Sequence, residues 1–283
     1  MRPARAGAGP REDQRDVSND LNDGAEAAGT KGRPVKAKQK SDGGILETVK
    51  VIVQALLIAL VVRTLLFQPF NIPSGSLVPT LLVGDYLFVS KYSYGYSRYS
   101  IPFGPPLFDG RVWGSQPQRG DIAVFKLPAD NATDYIKRVI GLPGDRVQMI
   151  DGRLWLNGEI VPREAVEPYV STDPFGRTVS VPRYRETLPE GTEYHVIERD
   201  ADRGFWDNTE VYTVPEGHFF MMGDNRDNST DSRDLSSVGF VPYENFVGRA
   251  EIIFFSIGED ASAWRLWEWP WTVRWERILD QIR

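Results

Sequence analysis

VIVQALLIALVVRTLLF occupies residues 51–67, and FNIPSGSLVPTL follows at residues 70–81. The apolar stretch is typical of a membrane-spanning helix, since a helix of this length rises about 25 Å against a hydrocarbon core of about 30 Å. Lys50 and Arg63 stand towards its ends, where long basic side chains can reach the lipid headgroups. Ser76 lies within roughly 30 Å of the membrane exit even along an extended chain, so chemistry at Ser76 is predicted at a membrane surface.

A buried core helix and a cleaved signal peptide are the alternatives for the apolar segment. Both fit less well, because a basic tail precedes the segment and no Ala-x-Ala site follows it in QPFNIP, residues 68–73. We therefore predict a retained transmembrane anchor over residues 46–68. Acidic residues outnumber basic ones beyond the anchor, which by the positive-inside rule predicts a cytoplasmic N-terminus and a body on the outer face. The basic residues before or at its start are Lys31, Arg33, Lys36, Lys38, Lys40 and Lys50.

Composition excludes several classes of site. The chain of 283 residues contains no cysteine, which rules out disulfides, thiolate nucleophiles and cysteine-ligated metals. It has only two histidines, His195 and His218, so a histidine-rich zinc site is not expected, and neither a metal nor a cofactor is predicted. A net charge of −6 argues against nucleic acid as a partner. Residues 1–45 are polar and lack apolar periodicity, which predicts a disordered cytoplasmic tail.

Short apolar runs bounded by turn residues predict a mainly β body. These runs are residues 86–89, 121–125 and 251–255. Residues 153–159 read RLWLNGE, which is typical of a strand entering an Asn-Gly hairpin turn. We predict an antiparallel catalytic β domain formed by residues 69–150 and 214–258. Residues 151–213 are richer in proline and charge than their flanks, which predicts an inserted β subdomain.

The C-terminal segment, residues 259–283, is distinct because tryptophans crowd into it. They are Trp264, Trp267, Trp269, Trp271 and Trp275. Pro270 can begin a helix, which would be amphipathic. Its apolar face would carry Trp271, Trp275, Ile278 and Ile282, opposite Arg274, Arg277 and Asp280. Two placements remain open, one at the membrane interface that tryptophan favours and one against the β body.

Ser76 needs an activating base if it is a nucleophile. His195 lies in the predicted insertion, His218 precedes an apolar run, and neither a Gly-x-Ser-x-Gly nor a Ser-x-x-Lys motif occurs. A neutral lysine is another known activator of serine. Lys137 lies in a β-prone segment where alternation places it on one face with Tyr135 and apart from Arg138. Desolvation would have to lower its pKa from about 10.4 to roughly 7, and a lysine reaching solvent from a strand is the alternative.

A third polar cluster, MGDNRDNSTDSR, occupies residues 222–233. So many short polar side chains predict a tightly hydrogen-bonded turn. A calcium loop is the alternative, but the EF-hand spacing fails. No glycine stands at the sixth position counted from Asn225, and Ser236 replaces the closing glutamate.

The three clusters, in this order behind an N-terminal anchor, resemble the bacterial type I signal peptidases, which are membrane-bound serine endopeptidases with a Ser/Lys dyad. The resemblance covers residues 46–258 and rests on four boxes. They are residues 73–81 with 84–85, residues 119–125, residues 135–138 through 144–145, and residues 223–229 through 233. The family's fold is antiparallel β with a catalytic domain and an inserted second domain, and the resemblance implies that fold here.

The resemblance also implies roles for individual residues. Ser76 would be the nucleophile and Lys137 the general base, with the Ser74 hydroxyl and the Ser76 backbone N–H forming the oxyanion hole. Ser229 would orient Lys137. Asp231 and Arg233 would form a supporting ion pair. Shallow apolar pockets that admit only small side chains would be lined by Ile72, Pro73, Leu77, Leu81, Tyr135 and Ile136.

One departure from the family pattern lies in that pocket, where Leu77 replaces the usual methionine. The swap conserves volume, although it can alter the small-residue pocket. We predict a signal peptidase in the bacterial inner (cytoplasmic) membrane, near the protein-export translocon, that removes signal peptides from exported preproteins. The alternatives are a specialised Ser/Lys processing peptidase for a conjugation or pilus client and a non-catalytic, membrane-tethered envelope-assembly domain.

Overall fold

The computed structural model describes residues 44–283 except for residues 103, 106–107, 173–175, 201–202, 260 and 262–263. The predicted disordered tail, residues 1–45, falls outside the described residues except for its last two. Helix α1, Ile45–Leu65, covers most of the predicted anchor and buries none of its residues. A helix of 21 residues rises about 31 Å, which matches a bilayer core. The apolar segment is therefore a helix long enough to span a membrane, directly followed by the first strand.

Fourteen strands follow within the described residues. They are β1 (Phe67–Asn71), β2 (Asp85–Ser90), β3 (Ile122–Lys126), β4 (Asp134–Gly141), β5 (Arg146–Ile150), β6 (Arg153–Leu156), β7 (Glu159–Ile160), β8 (Arg163–Thr172), β9 (Thr178–Thr187), β10 (Glu193–Ile197), β11 (Tyr212–Thr213), β12 (His218–Met222), β13 (Val241–Pro242) and β14 (Phe246–Ser256). The predicted mainly β, antiparallel fold is confirmed. The predicted hairpin turn lies between β6 and β7, where Asn157 and Gly158 have φ values of 56° and 87°.

The largest sheet has seven strands in the order β1-β2-β14-β3-β4-β12-β13. Neighbouring strands in it are antiparallel, and Ala123 on β3 faces Lys137 on β4. Two smaller sheets have the orders β10-β9-β8 and β11-β5-β6-β7. Strand β5 thus belongs to one of the smaller sheets, where it pairs with β6 and β11. It precedes residue 151, where the inserted subdomain was predicted to begin.

Strand β12 separates two hydrophobic cores, which explains why residues 219–222 are apolar without alternation. Phe219 and Met221 pack into the core of the large sheet, whereas Phe220 and Met222 pack into the core of the smaller sheets. A strand covered on both faces needs apolar side chains on both. The polar loop after β12 therefore lies where the large sheet meets the smaller sheets.

The predicted amphipathic helix of the C-terminal segment is wrong. Helix α2 covers only Trp269–Thr272, and the chain beyond it runs along β14 with backbone hydrogen bonds such as Arg274 N–H to Ser256 O at 3.0 Å. Arg277 also pairs with the buried carboxylate of Asp85 at 2.6 Å. These backbone and ion-pair contacts outweigh the helical periodicity. Four of the tryptophans, Trp264, Trp267, Trp271 and Trp275, nevertheless stay exposed, and lipid contact by them remains a prediction.

Candidate active site

Two local elements bring Ser76 and Lys137 together. Ser76 lies in a single 3-10 turn, Gly75–Leu77, shortly after β1, and Lys137 lies in the middle of β4. The Lys137 Nζ donates to Ser76 Oγ at 2.7 Å, and to the backbone oxygen of Ile136 at 3.1 Å. Both side chains are buried, with Ser76 7% and Lys137 4% exposed. The residues are 61 positions apart in sequence, so only the fold creates this pair.

The surroundings of Lys137 favour its neutral form. Burial lowers the pKa of the amine to about 8 from 10.5, although the carboxylates of Asp231 and Asp224 act in the opposite direction. The Tyr135 ring, whose centroid lies 5.3 Å from Nζ, supplies part of the surrounding apolar surface. With a pKa of about 8, about a tenth of the amine is unprotonated at pH 7, so the base form that the neighbouring hydroxyl requires is populated near neutral pH.

The loop after β12 fixes the turn that carries Ser76. The Asn225 backbone N–H donates to Ser76 O at 3.0 Å, and its side-chain Nδ2 donates to Gly75 O at 2.9 Å. Gly223 packs against the same turn so closely that a Cβ there would stand 2.6 Å from Ser76 O and 2.2 Å from Ser229 Oγ. The sequence placed both residues in a polar turn without a role for either. Their function depends on contacts with a segment about 150 residues earlier.

The predicted Asp231–Arg233 ion pair is present in bidentate form. Arg233 Nε and Nη2 donate to the two Asp231 oxygens, both at 2.9 Å. Burial alone would raise the pKa of Asp231, but the Arg233 guanidinium and the Gly223 N–H outweigh it and hold the pKa below its usual range. Arg233 also donates to Arg226 O at 2.6 Å, so the pair closes the loop on itself.

Two further buried ion pairs support the loop, and no pattern in the sequence indicated their partners. Arg138 donates to both oxygens of Asp224 at 2.9 and 2.7 Å, on the strand face opposite Lys137. Arg226 donates to both oxygens of Glu186, which lies on β9 in the three-stranded sheet, at 2.9 and 2.5 Å. Burial acts to raise the pKa of Glu186, but Arg226 outweighs it and the pKa falls. Carboxylates thus compensate the buried arginines, whereas Lys137 faces a hydroxyl.

Ser229 is close to the dyad because it packs against Gly223, but it is not hydrogen-bonded to either dyad residue. Its side chain is buried, and its Oγ forms no well-aligned hydrogen bond among the described residues, although it lies close enough to Asp231 to help lower the pKa of that carboxyl group. The predicted hydrogen bond to Lys137 is therefore not formed in this structure. The Ser229 hydroxyl therefore lies beside the Asp231 carboxylate rather than bonded to the amine of Lys137.

A cleft of about 360 Å³ opens beside the dyad. It is lined by Pro73, Ser74, Gly75, Ser76, Asp134, Tyr135, Ile136, Lys137, Asn228 and Thr230. Three predicted pocket residues, Pro73, Tyr135 and Ile136, are on this wall. The other three, Ile72, Leu77 and Leu81, are buried in the hydrophobic core against which Ile136 also packs, and their role as a pocket floor remains a prediction. Ser74 also lines the cleft, and its role in the oxyanion hole remains a prediction.

The arrangement suits covalent catalysis by serine with lysine as base. His195 lies on β10 and His218 begins β12, and neither bonds to Ser76 among the described residues. No group of three or more possible metal ligands occurs within the part of the chain that the structure describes. A nucleophile, a buried amine and a cleft lined partly by apolar side chains therefore make up the candidate site.

Comparison with known proteins gives consistent similarities. The family model for signal peptidase, peptidase S26, matches residues 45–255. The signal peptidase I of Rickettsia typhi is 42% identical over 245 residues, covering 80% of this chain and 89% of that protein. The signal peptidase I of Rickettsia akari is 43% identical over 245 residues, covering 80% and 88%. A crystal structure of a signal peptidase I from Enterococcus faecalis is 28% identical and covers 48% of this chain and 97% of that chain, with a TM-score of 0.27.

Proposed function

The chain belongs to the signal peptidase family, peptidase S26, whose members are serine endopeptidases that remove signal peptides from preproteins, and we propose that Ser76 and Lys137 perform this cleavage. The observation that carries the proposal is the 2.7 Å contact between Lys137 Nζ and Ser76 Oγ, both buried beside an open cleft. The match to an endopeptidase family leaves no support for the non-catalytic alternative.

The proposed reaction begins with neutral Lys137. Its Nζ accepts the hydroxyl proton of Ser76 as Oγ attacks the scissile carbonyl carbon. The Ser76 backbone N–H and the Ser74 hydroxyl donate to the oxygen that becomes negative. Collapse of this intermediate breaks the C–N bond, and protonated Lys137 gives its proton to the leaving amine. A water molecule then attacks the Ser76 ester as Lys137 again takes the proton. Collapse breaks the ester C–O bond, releases the new C-terminal carboxyl group and returns the proton from Lys137 to Ser76 Oγ.

Strand β4 offers an edge on which a substrate can bind. Among the described residues, β12 pairs only with the later part of β4, at Arg138, Val139 and Gly141. Residues 134–136 have a strand partner on the β3 side only, and they line the cleft. An extended substrate segment can therefore add to this edge, with small side chains facing Pro73, Tyr135 and Ile136. Ser229 would orient Lys137 once the substrate excludes water.

We also propose the topology and setting of the enzyme. Helix α1 would anchor it in the bacterial inner membrane, with the N-terminus in the cytoplasm and the cleft on the outer face near the translocon. The charge asymmetry around α1 supports this orientation. Protease protection in inverted and right-side-out vesicles tests it, because only the orientation with an external body leaves the cleft-bearing domain accessible in right-side-out vesicles.

Cleavage of a preprotein with an Ala-x-Ala site tests the dyad. Detergent-solubilised wild type should cleave it, whereas Ser76→Ala and Lys137→Ala should not. His195→Ala serves as the matched control, since His195 is the histidine a conventional triad could otherwise recruit, and it should remain active. Circular dichroism verifies folding of each variant. Full activity of Lys137→Ala contradicts the dyad, and wild-type cleavage confined to one conjugation or pilus client favours the specialised peptidase.

A further inference from the structure

A second cavity lies at the foot of α1, apart from the dyad. Its volume is about 510 Å³, and four basic side chains line it: Arg63, Lys91, Arg98 and Lys126. We call it the basic pocket. Arg63 lies in the last turn of α1, and Gln68 of β1 also lines the wall. Asp134 is the only carboxylate among the described lining residues. The pocket therefore carries a surplus of positive charge where the predicted span leaves the bilayer.

Lys91 is the most deeply buried of the four basic residues. It is 2% exposed, and its Nζ donates to Ser100 O at 2.5 Å, which uses one of three available protons. Burial first, and then the charges of Arg63 and Lys126, lower the pKa of Lys91 to about 8, while Asp134 acts to raise it. Asp134 is already paired with Lys126 at 2.8 Å. Among the described residues, Lys91 thus has no carboxylate partner of its own, and it has protons left for an anion.

Arg98 forms another part of the wall. Its guanidinium lies over the Tyr99 ring at 4.6 Å, and its Nη2 donates to Tyr99 Oη at 2.5 Å. Its one carboxylate contact among the described residues is Glu244 at 4.0 Å, a weak and partly exposed pair. Its buried Nε has no acceptor among the described residues. One unsatisfied buried donor on Arg98 and the remaining protons of Lys91, in a pocket with surplus positive charge, suit an anionic acceptor.

We propose that the basic pocket binds the phosphate of an anionic phospholipid headgroup. The proposal rests on the proposed membrane span of α1, because Arg63 in its last turn places the pocket at headgroup depth. Basic pockets beside membrane helices suit anionic headgroups, whose oxygens accept charge-assisted hydrogen bonds. Acyl chains of a bound lipid could lie along α1, which leaves its apolar side chains exposed.

The basic pocket adjoins the catalytic cleft through one residue. Asp134 begins β4 and lines both cavities. A phosphate in the pocket would compete with Asp134 for Lys126 and so change the charge at the edge where a substrate segment is proposed to add. Anionic lipid bound there is therefore expected to alter the KM for preprotein more than kcat.

Calorimetric titration of the full chain in maltoside micelles tests the proposal. The probes are a short-chain phosphatidylglycerol, the phosphatidylcholine with the same chains, and inorganic phosphate. Phosphatidylglycerol should bind at least tenfold more tightly than phosphatidylcholine. Arg98→Gln and Lys91→Met should each weaken its binding by about fivefold, the usual share of one basic side chain at a lipid surface. Arg146→Gln removes a charge from an exposed residue of β5 outside the pocket and serves as the matched control.

Three results would overturn the proposal. The first is equal binding of the two phospholipids, and the second is equal weakening of binding by Arg146→Gln and the pocket variants. The third is inorganic phosphate that binds as tightly as phosphatidylglycerol, which would identify a free-phosphate site instead. Arg98→Gln keeps the test valid if Lys91→Met fails to fold, because Arg98 is partly exposed. Preprotein cleavage is measured on the same samples. Wild type that cleaves preprotein but does not bind phosphatidylglycerol refutes this inference alone, whereas wild type that binds phosphatidylglycerol but does not cleave preprotein refutes the proposed function.

Discussion

Lys137 and Lys91 are both nearly inaccessible lysines, yet their surroundings differ in one decisive respect. Burial lowers the pKa of each to about 8. Lys137 meets the hydroxyl of Ser76 at 2.7 Å beside an open cleft, whereas Lys91 meets the backbone oxygen of Ser100 at 2.5 Å. A carbonyl oxygen has no proton to give, so Lys91 cannot act as a base towards it. Burial prepares a lysine for proton transfer, and the partner atom determines whether transfer occurs.

The largest expected effect separates the two lysines by activity. Lys137→Met should lower kcat/KM for preprotein cleavage by about 10⁴-fold or more, as should Ser76→Ala, because base and nucleophile act as a unit. Lys91→Met should lower it by less than about tenfold, since Lys91 touches no reacting atom. Steady-state kinetics on one preprotein checks this. Similar losses in the two lysine variants would erase the distinction between the two sites.

The next effect tests how closely the nucleophile turn must be held beside Lys137. Gly223→Ala should lower kcat by about 10²-fold, because its Cβ would stand 2.6 Å from Ser76 O and displace the turn. Gly258→Ala is the matched control, since its Cβ would meet nothing closer than Thr272 O at 3.6 Å. The comparison requires both variants to melt within a few degrees of wild type. Retained activity in Gly223→Ala would mean that the turn tolerates displacement.

The pH dependence of cleavage tests which lysine titrates in catalysis. Because neutral Lys137 is the base, log kcat/KM should rise by about one per pH unit below its pKa and level off above pH about 8. Lys91→Met should leave this inflection in place, although Lys91 titrates in the same range. Rate measurements from pH 6 to 9.5 provide the profile. If the inflection shifts in Lys91→Met, the titrating group is Lys91 and our assignment to Lys137 is wrong.

The smallest effect is one in which the two lysines should behave alike. Both have folded-state pKa values below that of an unfolded lysine, so between pH 8 and 9.5 the unfolded chain holds more protons and the free energy of unfolding rises with pH. Removing either lysine should reduce that slope by up to about 1.4 kcal/mol per pH unit. Denaturant titrations of wild type, Lys91→Met and Lys137→Met measure it. An unchanged slope in either variant would indicate that its lysine keeps an ordinary pKa.

The sequence predicted the fold class, the anchor helix and the Ser76–Lys137 and Asp231–Arg233 pairs, because those features are local patterns or match family boxes. It could not supply the partners of Arg138 and Arg226, since Asp224 and Glu186 reach them only through tertiary contacts. The roles of Gly223 and Asn225 were missed for the same reason.

The C-terminal helix prediction failed for a different reason. Periodicity describes one face of an isolated segment, whereas this segment's backbone groups are taken up by β14. Pro270 does begin helix α2, but that helix ends at Thr272. Pairing with a neighbouring strand satisfies the backbone as well as a helix does, and a single sequence does not reveal which neighbour is available.

The Glu186–Arg226 pair also limits how far this enzyme could be made smaller. Glu186 belongs to the three-stranded sheet and Arg226 to the loop that carries Asp231, and each is only 1% exposed. Removing Glu186 while Arg226 stays enclosed would leave a buried guanidinium without its counter-charge, at a cost of about 3–5 kcal/mol. The large sheet and the smaller sheets therefore depend on each other through this ion pair. A minimal enzyme would have to replace Arg226 in the same step that removes Glu186.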